Sequence, residues 1–326
     1  METEVSVIVP CHNAARYLGE TVDALLHQDF ALPYRILLVD DASTDQTPAL
    51  IRSFESYAPK LVKGLYCSAG NLPQARNAAM AEALKSRYVC FSDADDIPHR
   101  NFISTLYNLI RKSGADCACC GYRIVDQRTG KIKNSNSLDL KLPIPGKKAA
   151  FQILKDERVK AYVWCKIFSS DLLRRTKIAF LPERFVYEDL VFCFQTFSAS
   201  DFVAFSSQPV YDYLIHPGSL SHHPDPTAFM MHICAYAACR TYASFCFGER
   251  ESLAMFRKAK RSMLFKADCD ILTARKLYAK GIAAPRKQSK KLISRIASPY
   301  FRVAGEPWEN YIFDLGFLGH PQLPTS

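Results

Sequence analysis

The 326-residue chain is 48% hydrophobic and 23% charged, a composition that excludes disordered and fibrous classes. Its formal net charge of +10 is uneven: residues 255–302 hold fourteen Lys and Arg against Asp268 and Asp270, which leaves about −2 elsewhere. Such a basic segment, here interleaved with aromatic residues, binds anionic lipid or nucleic acid, or is simply a solvated helix face.

Cysteine usage and hydropathy predict a cytosolic protein. The twelve cysteines are scattered through apolar runs, where cysteine acts as a small hydrophobic residue. The C-x-x-C pair, Cys117 and Cys120, lies inside a predicted strand, so free thiols are favoured over a zinc site. The acidic N-terminus predicts no signal peptide. Residues 229–247 contain His232 and Arg240, which favours a buried helix over a membrane span.

The first hundred residues alternate between strands and helices. Asn13 is expected to cap the first helix, and Thr44 or Asp45 the second. Alternation with helical crossovers predicts a mostly parallel sheet with right-handed connections. The predicted strands are 5–10, 35–39, 61–66 and 88–91. Three helices are predicted between them: one after Asn13, one that ends at Tyr57 and one at 73–85.

The remainder mixes strands and helices up to a predicted boundary near residue 223, within an HHPDP segment. Beyond that boundary the pattern is helical to the end of the chain. Helices are predicted at 101–112, 146–154, 169–175 and 185–200, strands at 115–125, 202–205 and 210–215, and a polar hairpin at 127–136.

Two predicted strands end in acidic clusters. The second ends in Asp40 and Asp41, and the fourth in Asp93, Asp95 and Asp96. Clustered carboxylates raise each other's pKa unless a cation lies among them, and the carboxyl ends of parallel strands form the ligand crevice of an α/β sheet. These clusters predict a site for a hard metal ion; the structural alternative is a solvated loop that caps the next helix.

Common phosphate-binding loops are missing from the sequence. Neither G-x-G-x-x-G after the first strand nor G-x-x-x-x-G-K-[ST] occurs, which excludes the dinucleotide fingerprint and the P-loop. Phosphate binding in this chain would therefore rest on a metal ion and on side chains.

Seven short blocks occur in order along the chain: SVIVPCHN at 6–13, LVDDASTD at 38–45, ARN at 75–77, DADD at 93–96, WCK at 164–166, ED at 188–189 and YLIHPGS at 213–219. Together they resemble the inverting family 2 glycosyltransferases, over residues 4 to about 222. The resemblance implies the GT-A fold, an α/β, Rossmann-like, mostly parallel mixed sheet flanked by helices. It divides the chain into a glycosyltransferase domain at 1–223, with a nucleotide-binding half at 1–100 and an acceptor-binding half at 101–223, and a C-terminal all-helical extension at 224–326.

The same resemblance implies roles in catalysis and metal binding. Asp95 matches the carboxylate that holds Mn²⁺ or Mg²⁺, which neutralises the leaving diphosphate. Asp189 matches the general base, with Glu188 as the reserve candidate. The structural alternative for both is an acidic first turn favoured by the helix dipole.

On the donor side, the resemblance places the Pro10 backbone and His12 at the base or ribose and Asp41 at a uracil N–H. Asp93 would face the ribose, held by Arg76. His216 would meet the pyrophosphate as a cation, or bind the metal, or be a turn histidine. Asp96, Trp164 and Lys166 are expected on the sugar or acceptor side, the last two being alternatively structural, while Asp40 is expected only to cap a turn.

The chain departs from the family pattern at Cys165, where Asn is more frequent, and at Ala42, where Gly is more frequent. The first departure affects an acceptor-side hydrogen bond, and the second is expected to change a turn conformation.

The implied activity is a metal-dependent, inverting hexosyl or N-acetylhexosaminyl transfer from a UDP-sugar to a glycan or lipid-linked acceptor. A further expected partner is the inner face of the cell membrane, contacted through the basic C-terminal helices. No nucleic acid is expected to bind. The alternatives are a nucleotidyltransferase, which usually has a Gly-rich basic loop after the first strand, and a non-catalytic module that binds nucleotide-sugars or glycans.

Overall fold

The computed structural model describes residues 3–135, 137–181, 187–216 and 228–259, with side chains in the last range from residue 235 on, except at 237. The strands are β1 (Val5–Cys11), β2 (Tyr34–Asp41), β3 (Val62–Cys67), β4 (Tyr88–Phe91), β5 (Ile97–Pro98), β6 (Cys117–Asp126), β7 (Ile132–Asn134), β8 (Ile144–Pro145), β9 (Lys166–Ser169) and β10 (Phe202–Ile215). The α-helices are α1 (Leu18–Leu26), α2 (Thr47–Tyr57), α3 (Leu72–Ala83), α4 (Phe102–Ser113), α5 (Gly146–Lys155), α6 (Ser170–Thr176), α7 (Glu188–Ala199) and α8 (Ala228–Phe247), and a 3₁₀ turn covers Val163–Cys165.

The strands form one mixed sheet in the order β3-β2-β1-β4-β9-β6-β10-β5, with β7 on β6 and β8 on β10. The pairs β3-β2, β2-β1, β1-β4 and β6-β10 are parallel, while β9 runs antiparallel to both of its neighbours. Strand order reverses at β1, which lies between β2 and β4. The carboxyl ends of β2 and β4 therefore flank the end of β1, which is the crevice position in open α/β sheets.

Apolar side chains alternate between the two faces of the sheet. In β1, Val7 and Val9 belong to the cluster that includes α1, α2 and α4 residues, whereas Ile8 belongs to the cluster that includes α3, α5, α6 and α7 residues. A strand buried on both faces favours apolar residues on both, so the centres of β1 and β2 read as apolar runs; the buried Ser6 of β1 is satisfied by Ser86 Oγ. The predicted α/β architecture, a mixed sheet flanked by helices, is confirmed.

Two local predictions were wrong. Asn13 does not cap α1, which begins five residues later at Leu18; Asn13 has a positive φ of 50° and bonds the neighbouring loop, donating from its N–H to Ser43 Oγ and accepting from the Thr44 N–H. The two predicted short strands at 202–205 and 210–215 are one strand, β10, with register shifts on either side of Pro209. Proline lacks the ladder donor, so the strand bulges there rather than ending.

The helices after residue 227 pack on the sheet domain. Ala235, Cys239 and Phe256 are buried in the same apolar cluster as α7 residues, and residues 249–259 are helical. Among the residues described, no helix is long and apolar enough to cross a membrane. Most of the basic window at 255–302 lies outside the described residues, as do the predicted boundary near 223 and the start of the predicted helix at 185–200.

Gly146 marks a close approach between two helices. A Cβ at this position would lie 2.1 Å from the Ser200 carbonyl oxygen and 2.2 Å from that of Phe197, at the end of α7. A Cβ at Gly19, on α1, would meet nothing within 4 Å.

We expect Gly146→Ala to lower the free energy of unfolding by about 1–3 kcal/mol, because α5 and α7 must separate. Gly19→Ala is the matched control and should raise it by about 0.5 kcal/mol through the lower entropy of the unfolded chain. Urea unfolding followed by circular dichroism measures both, and equal effects of the two substitutions would contradict the close packing.

Candidate active site

A buried arginine lies at the centre of the candidate site. Arg76, in the second turn of α3, is only 1% exposed. Its Nη2 donates to Asp93 Oδ1 at 3.0 Å, and its Nη1 donates to Glu188 Oε1 at 3.0 Å and to Asp189 Oδ1 at 2.6 Å. The guanidinium carbon lies 5.2 Å from the centre of the Phe180 ring. One cation therefore joins the carboxyl end of β4 to the first turn of α7.

The cluster around Arg76 shifts the pKa of its members. Burial raises the pKa of Asp93 to about 6, with the charges of Asp95 and Asp189 adding to the effect and Arg76 opposing it. Burial, and then the charge of Asp189, raise the pKa of Glu188 to about 7. Burial lowers the pKa of Arg76, but the three carboxylates outweigh it and the pKa is raised overall. Arg76 thus stays charged, while Glu188 and Asp93 hold protons more tightly than exposed carboxyls do.

Asp189 is held at both carboxylate oxygens. Oδ1 accepts from Arg76, and Oδ2 accepts from the backbone N–H of Val163 at 3.2 Å. The helix α7 begins at Glu188, and Tyr187 before it has a left-handed φ of 82°. A non-glycine residue in that region is uncommon and is found at functional sites more than elsewhere.

Asp95 faces a histidine from the far end of β10. His216 Nε2 lies 3.0 Å from Asp95 Oδ2, and the imidazole stacks on Tyr17 with ring centres 4.2 Å apart. The Asp95 side chain is 37% exposed, which is more than the 27% of Asp93. No sequence pattern pointed to Tyr17, which precedes α1 and whose ring stacks on the imidazole.

The loops after β1 and β2 are tied to each other and to the start of α3. His12 Nδ1 lies 2.7 Å from the Asp41 carbonyl oxygen, and Asp41 Oδ1 accepts from the N–H groups of Ala69 and Gly70. Pro10 lies in β1 opposite Val39. One Asp41 oxygen is therefore occupied by the loop that leads to Arg76.

Asp40 differs from the expected turn cap. Its Oδ1 is buried without a hydrogen-bond partner in the described part of the chain. A buried carboxylate oxygen left without a donor is unfavourable, so such a group marks a position for a ligand donor. Ala42, two residues on, has a φ of 51°. The turn thus adopts the left-handed conformation that suits glycine, at a cost of about 1–2 kcal/mol for alanine.

Three residues expected on the sugar or acceptor side are buried. Asp96 is 1% exposed and accepts from the Leu214 N–H at 2.8 Å, and burial raises its pKa well above the usual value. Lys166 Nζ donates to the carbonyls of Lys160 and Tyr162. Trp164 stacks on Tyr211. These side chains are buried beneath the site, and they were singled out because they belong to the same sequence motifs as residues expected to line it.

The donor set at the end of β4 fits a small divalent cation. No cluster of three His, Cys, Asp or Glu side chains suited to a metal occurs among the described residues. Mg²⁺ and Mn²⁺ are commonly bound by one or two carboxylates together with substrate phosphates, rather than by all-protein cages. Asp95, a partly exposed carboxylate beside Asp93, is consistent with that kind of site.

Comparisons with known proteins agree with this architecture. The chain is 32% identical over 132 residues to the glycosyltransferase GlyG of Streptococcus pneumoniae, covering 40% of this chain and 43% of that protein. It is 26% identical over 211 residues to the poly(ribitol-phosphate) beta-N-acetylglucosaminyltransferase TarS of Staphylococcus aureus, covering 64% of this chain and 35% of TarS. The chain thus spans less than half the length of either curated relative.

Solved structures share the fold at low sequence identity. The crystal structure of S. aureus TarS 1-349 in complex with UDP-GlcNAc has a TM-score of 0.60 at 19% identity, covering 87% of this chain and 93% of that one. The mannosyltransferase PcManGT from Pyrobaculum calidifontis, in complex with GDP-Man and Mn²⁺, has a TM-score of 0.57 at 16% identity, covering 97% and 85%.

The family model described as glycosyl transferase family 2 matches residues 6–176, which include the ends of β1, β2 and β4 and Arg76. The match covers more than half of the chain, and the expected resemblance is confirmed: the chain belongs to glycosyltransferase family 2.

Proposed function

We propose that this protein transfers a sugar from a nucleotide-sugar, most simply a UDP-sugar, to a hydroxyl of a glycan or lipid-linked acceptor with inversion at the anomeric carbon. The observation that carries the proposal is the Arg76 cluster, which joins Asp93 of the strand-end acidic group to Asp189 of α7. An inverting transfer needs a carboxylate near the donor and a base near the acceptor hydroxyl. The Arg76 guanidinium bonds a candidate for each, Asp93 and Asp189.

The donor nucleotide would lie over the carboxyl ends of β1 and β2. The backbone at Pro10, His12 and the carboxylates of Asp40 and Asp41 line that end of the sheet. The orphaned Asp40 Oδ1 makes this residue a second candidate, beside Asp41, for accepting from a nucleobase N–H. TarS in complex with UDP-GlcNAc supports a uridine donor by likeness of fold.

The diphosphate would meet Asp95 and His216. A divalent cation bound by Asp95, with Asp93 beside it, would neutralise charge on the leaving diphosphate. PcManGT, which was solved with Mn²⁺, supports a cation in this fold. Arg76 keeps Asp93 close to this position, and His216, stacked on Tyr17, offers a further hydrogen-bond donor to a phosphate oxygen.

Asp189 would act as the general base. The acceptor hydroxyl gives its proton to an Asp189 oxygen as its own oxygen attacks the anomeric carbon, and the bond to the diphosphate breaks on the opposite face. One displacement inverts the configuration and needs no covalent glycosyl-enzyme. The Val163 N–H and Arg76 orient the carboxylate, and Glu188, whose pKa is about 7, shares the same guanidinium as the reserve candidate.

We place the protein in the cytosol, with the basic segment beyond residue 259 docking on an anionic membrane surface. The ten cysteines that the structure describes are free, which is the pattern of a reducing compartment. The segment 260–302 carries twelve Lys and Arg against two acids, and such density attracts anionic lipid headgroups.

Asp95→Ala should lower donor hydrolysis and sugar transfer by at least about 100-fold, because several kcal/mol of charge stabilisation at the diphosphate are lost. Asp189→Ala should lower transfer by about 10²–10⁴-fold while the protein still binds UDP. A panel of nucleotide-sugars with Mn²⁺ and isothermal titration with UDP measure these effects. Asp171→Ala is the matched control, because the Asp171 side chain on α6 is exposed. Wild-type hydrolysis by Asp95→Ala would refute the donor-side assignment.

Glu188→Gln should flatten the pH dependence of stability between about pH 4.5 and 7. In that range the folded protein keeps a proton on Glu188 that the unfolded chain has released. This contribution is full below the unfolded pKa and is lost as pH rises through about 7, so stability falls with pH in the wild type. Urea unfolding at pH 5, 6, 7 and 8 measures it, with Glu20→Gln on α1 as the control for loss of a carboxylate. Parallel curves for wild type and Glu188→Gln would contradict the shift.

A chain truncated after residue 259 should lose binding to vesicles of anionic lipid, because it lacks the basic segment but keeps the core residues of α8 and of 249–259. Co-sedimentation with phosphatidylglycerol vesicles, compared with phosphatidylcholine vesicles, measures the binding. Equal partitioning of the full-length and truncated chains would refute membrane docking by this segment.

A further inference from the structure

An aromatic stack reaches the surface beside Asp189. Tyr162 is 40% exposed, while Trp164 behind it is 2% exposed. Their ring centres are 4.9 Å apart with planes 10° from parallel, and Trp164 stacks in turn on Tyr211 at 4.7 Å and 13°. Tyr162 is thus partly open to solvent over a rigid, buried support, and its ring also lies near Tyr213, with centres 6.3 Å apart and planes 17° from parallel, and near Tyr122, whose ring is almost perpendicular to it.

The inner end of the stack contacts the acidic strand end. The Tyr211 hydroxyl accepts from the Asp93 N–H at 3.0 Å and lies 3.2 Å from Ser92 Oγ. Tyr211 itself is fully buried. The stacked rings therefore connect the DADD group to the partly exposed Tyr162.

The backbone of Tyr162 is fixed on both sides of its peptide bond. The buried Lys166 Nζ donates to the Tyr162 carbonyl oxygen, and the next N–H along the chain, that of Val163, donates to Asp189 Oδ2. The Tyr162 Cα is only two covalent bonds from that N–H. Tyr162 therefore stands beside the carboxylate proposed as the base, on the acceptor side of the reaction.

We propose that the exposed ring of Tyr162 is the platform on which a cyclic sugar of the acceptor stacks, which makes it a specificity-determining residue. The proposal rests on the function proposed above. A pyranose presents ring C–H groups on one face, and these pack on the electron-rich face of an aromatic ring. An open-chain polyol has no such flat apolar face. The platform therefore favours a pyranose over a polyol such as ribitol.

Two substitutions at position 162 distinguish sugar stacking from simple packing. A ring that served only to cover Trp164 would need bulk but not a flat aromatic face. Leucine supplies that bulk without the aromatic ring, and phenylalanine supplies the ring without the hydroxyl. The variants Tyr162→Leu and Tyr162→Phe thus distinguish the two roles, and neither requires a cavity to form.

Binding is measured without turnover by saturation-transfer difference NMR, in the presence of UDP and Mn²⁺. The probes are methyl β-D-glucopyranoside, methyl β-D-galactopyranoside, methyl N-acetyl-β-D-glucosaminide and ribitol. We expect transfer to the ring C–H protons of at least one pyranoside and weaker transfer to ribitol. Tyr162→Leu should weaken the affinity about three- to tenfold, and Tyr162→Phe by less than twofold.

Tyr57→Ala is the matched control, because Tyr57 is a 79% exposed tyrosine at the end of α2, and it should bind as the wild type does. Equal affinity of wild type and Tyr162→Leu, stronger binding of ribitol than of every pyranoside, or no transfer from the wild type to any pyranoside would each overturn the platform.

Kinetics separate this proposal from the proposed function. Where a pyranoside accepts sugar, Tyr162→Leu should raise its KM three- to tenfold while KM for the donor changes by less than twofold. If the wild type binds UDP and hydrolyses a UDP-sugar but shows no dependence on Tyr162, the platform fails and the glycosyltransferase assignment stands. If it binds no nucleotide-sugar, the proposed function fails first.

Discussion

The candidate site depends on one buried cation. Taking a guanidinium out of water is unfavourable unless its donors are satisfied by opposite charge, and Arg76 meets that requirement with Asp93, Glu188 and Asp189. These carboxylates come from β4 and α7, more than ninety residues apart in sequence. Removing the guanidinium would leave three partly buried carboxylates close to one another without a counter-ion. The cluster is thus both a fold constraint and the part of the molecule that holds the proposed base in place.

One guanidinium cannot balance three carboxylates, and the surplus has a consequence. Burial and the neighbouring negative charges raise the pKa of Glu188 to about 7 and that of Asp93 to about 6, so these carboxyls take up protons more readily than exposed ones do. A site with more negative charge than its own residues neutralise gains from a bound cation at its open edge. In this chain that edge is Asp95, whose side chain is the more exposed. The electrostatics of the Arg76 cluster and the donor set at β4 therefore point in the same direction.

The sequence predicted the parts of the fold that follow from strong local patterns. Continuous apolar runs located β1, β2 and β4, and the acidic residues at the carboxyl ends of β2 and β4 lie at the same edge of the sheet. A sequence pattern shows the type of each residue, but not whether its side chain faces the site or is buried beneath it. Asp96 and Lys166 carry charges as Asp95 does, yet their side chains are buried and bonded to backbone groups. That distinction depends on where β9 and β10 pass, which is set by contacts far apart in sequence.

The hydrogen bonds of the loop around Tyr162 were likewise not predictable from the sequence. At Cys165 the family more often has Asn, which raised doubt about a hydrogen bond on the acceptor side. In the structure Cys165 Sγ lies 3.6 Å from the Tyr162 carbonyl oxygen, a weak contact, while the Lys166 ammonium donates to the same oxygen. A charged donor is a stronger partner for a carbonyl than a thiol is. The neighbouring lysine therefore holds this carbonyl firmly, and the Val163 N–H on the other side of the same peptide bond stays directed at Asp189. The orientation of the proposed base is thus coupled, through one peptide group, to a lysine that never reaches the surface.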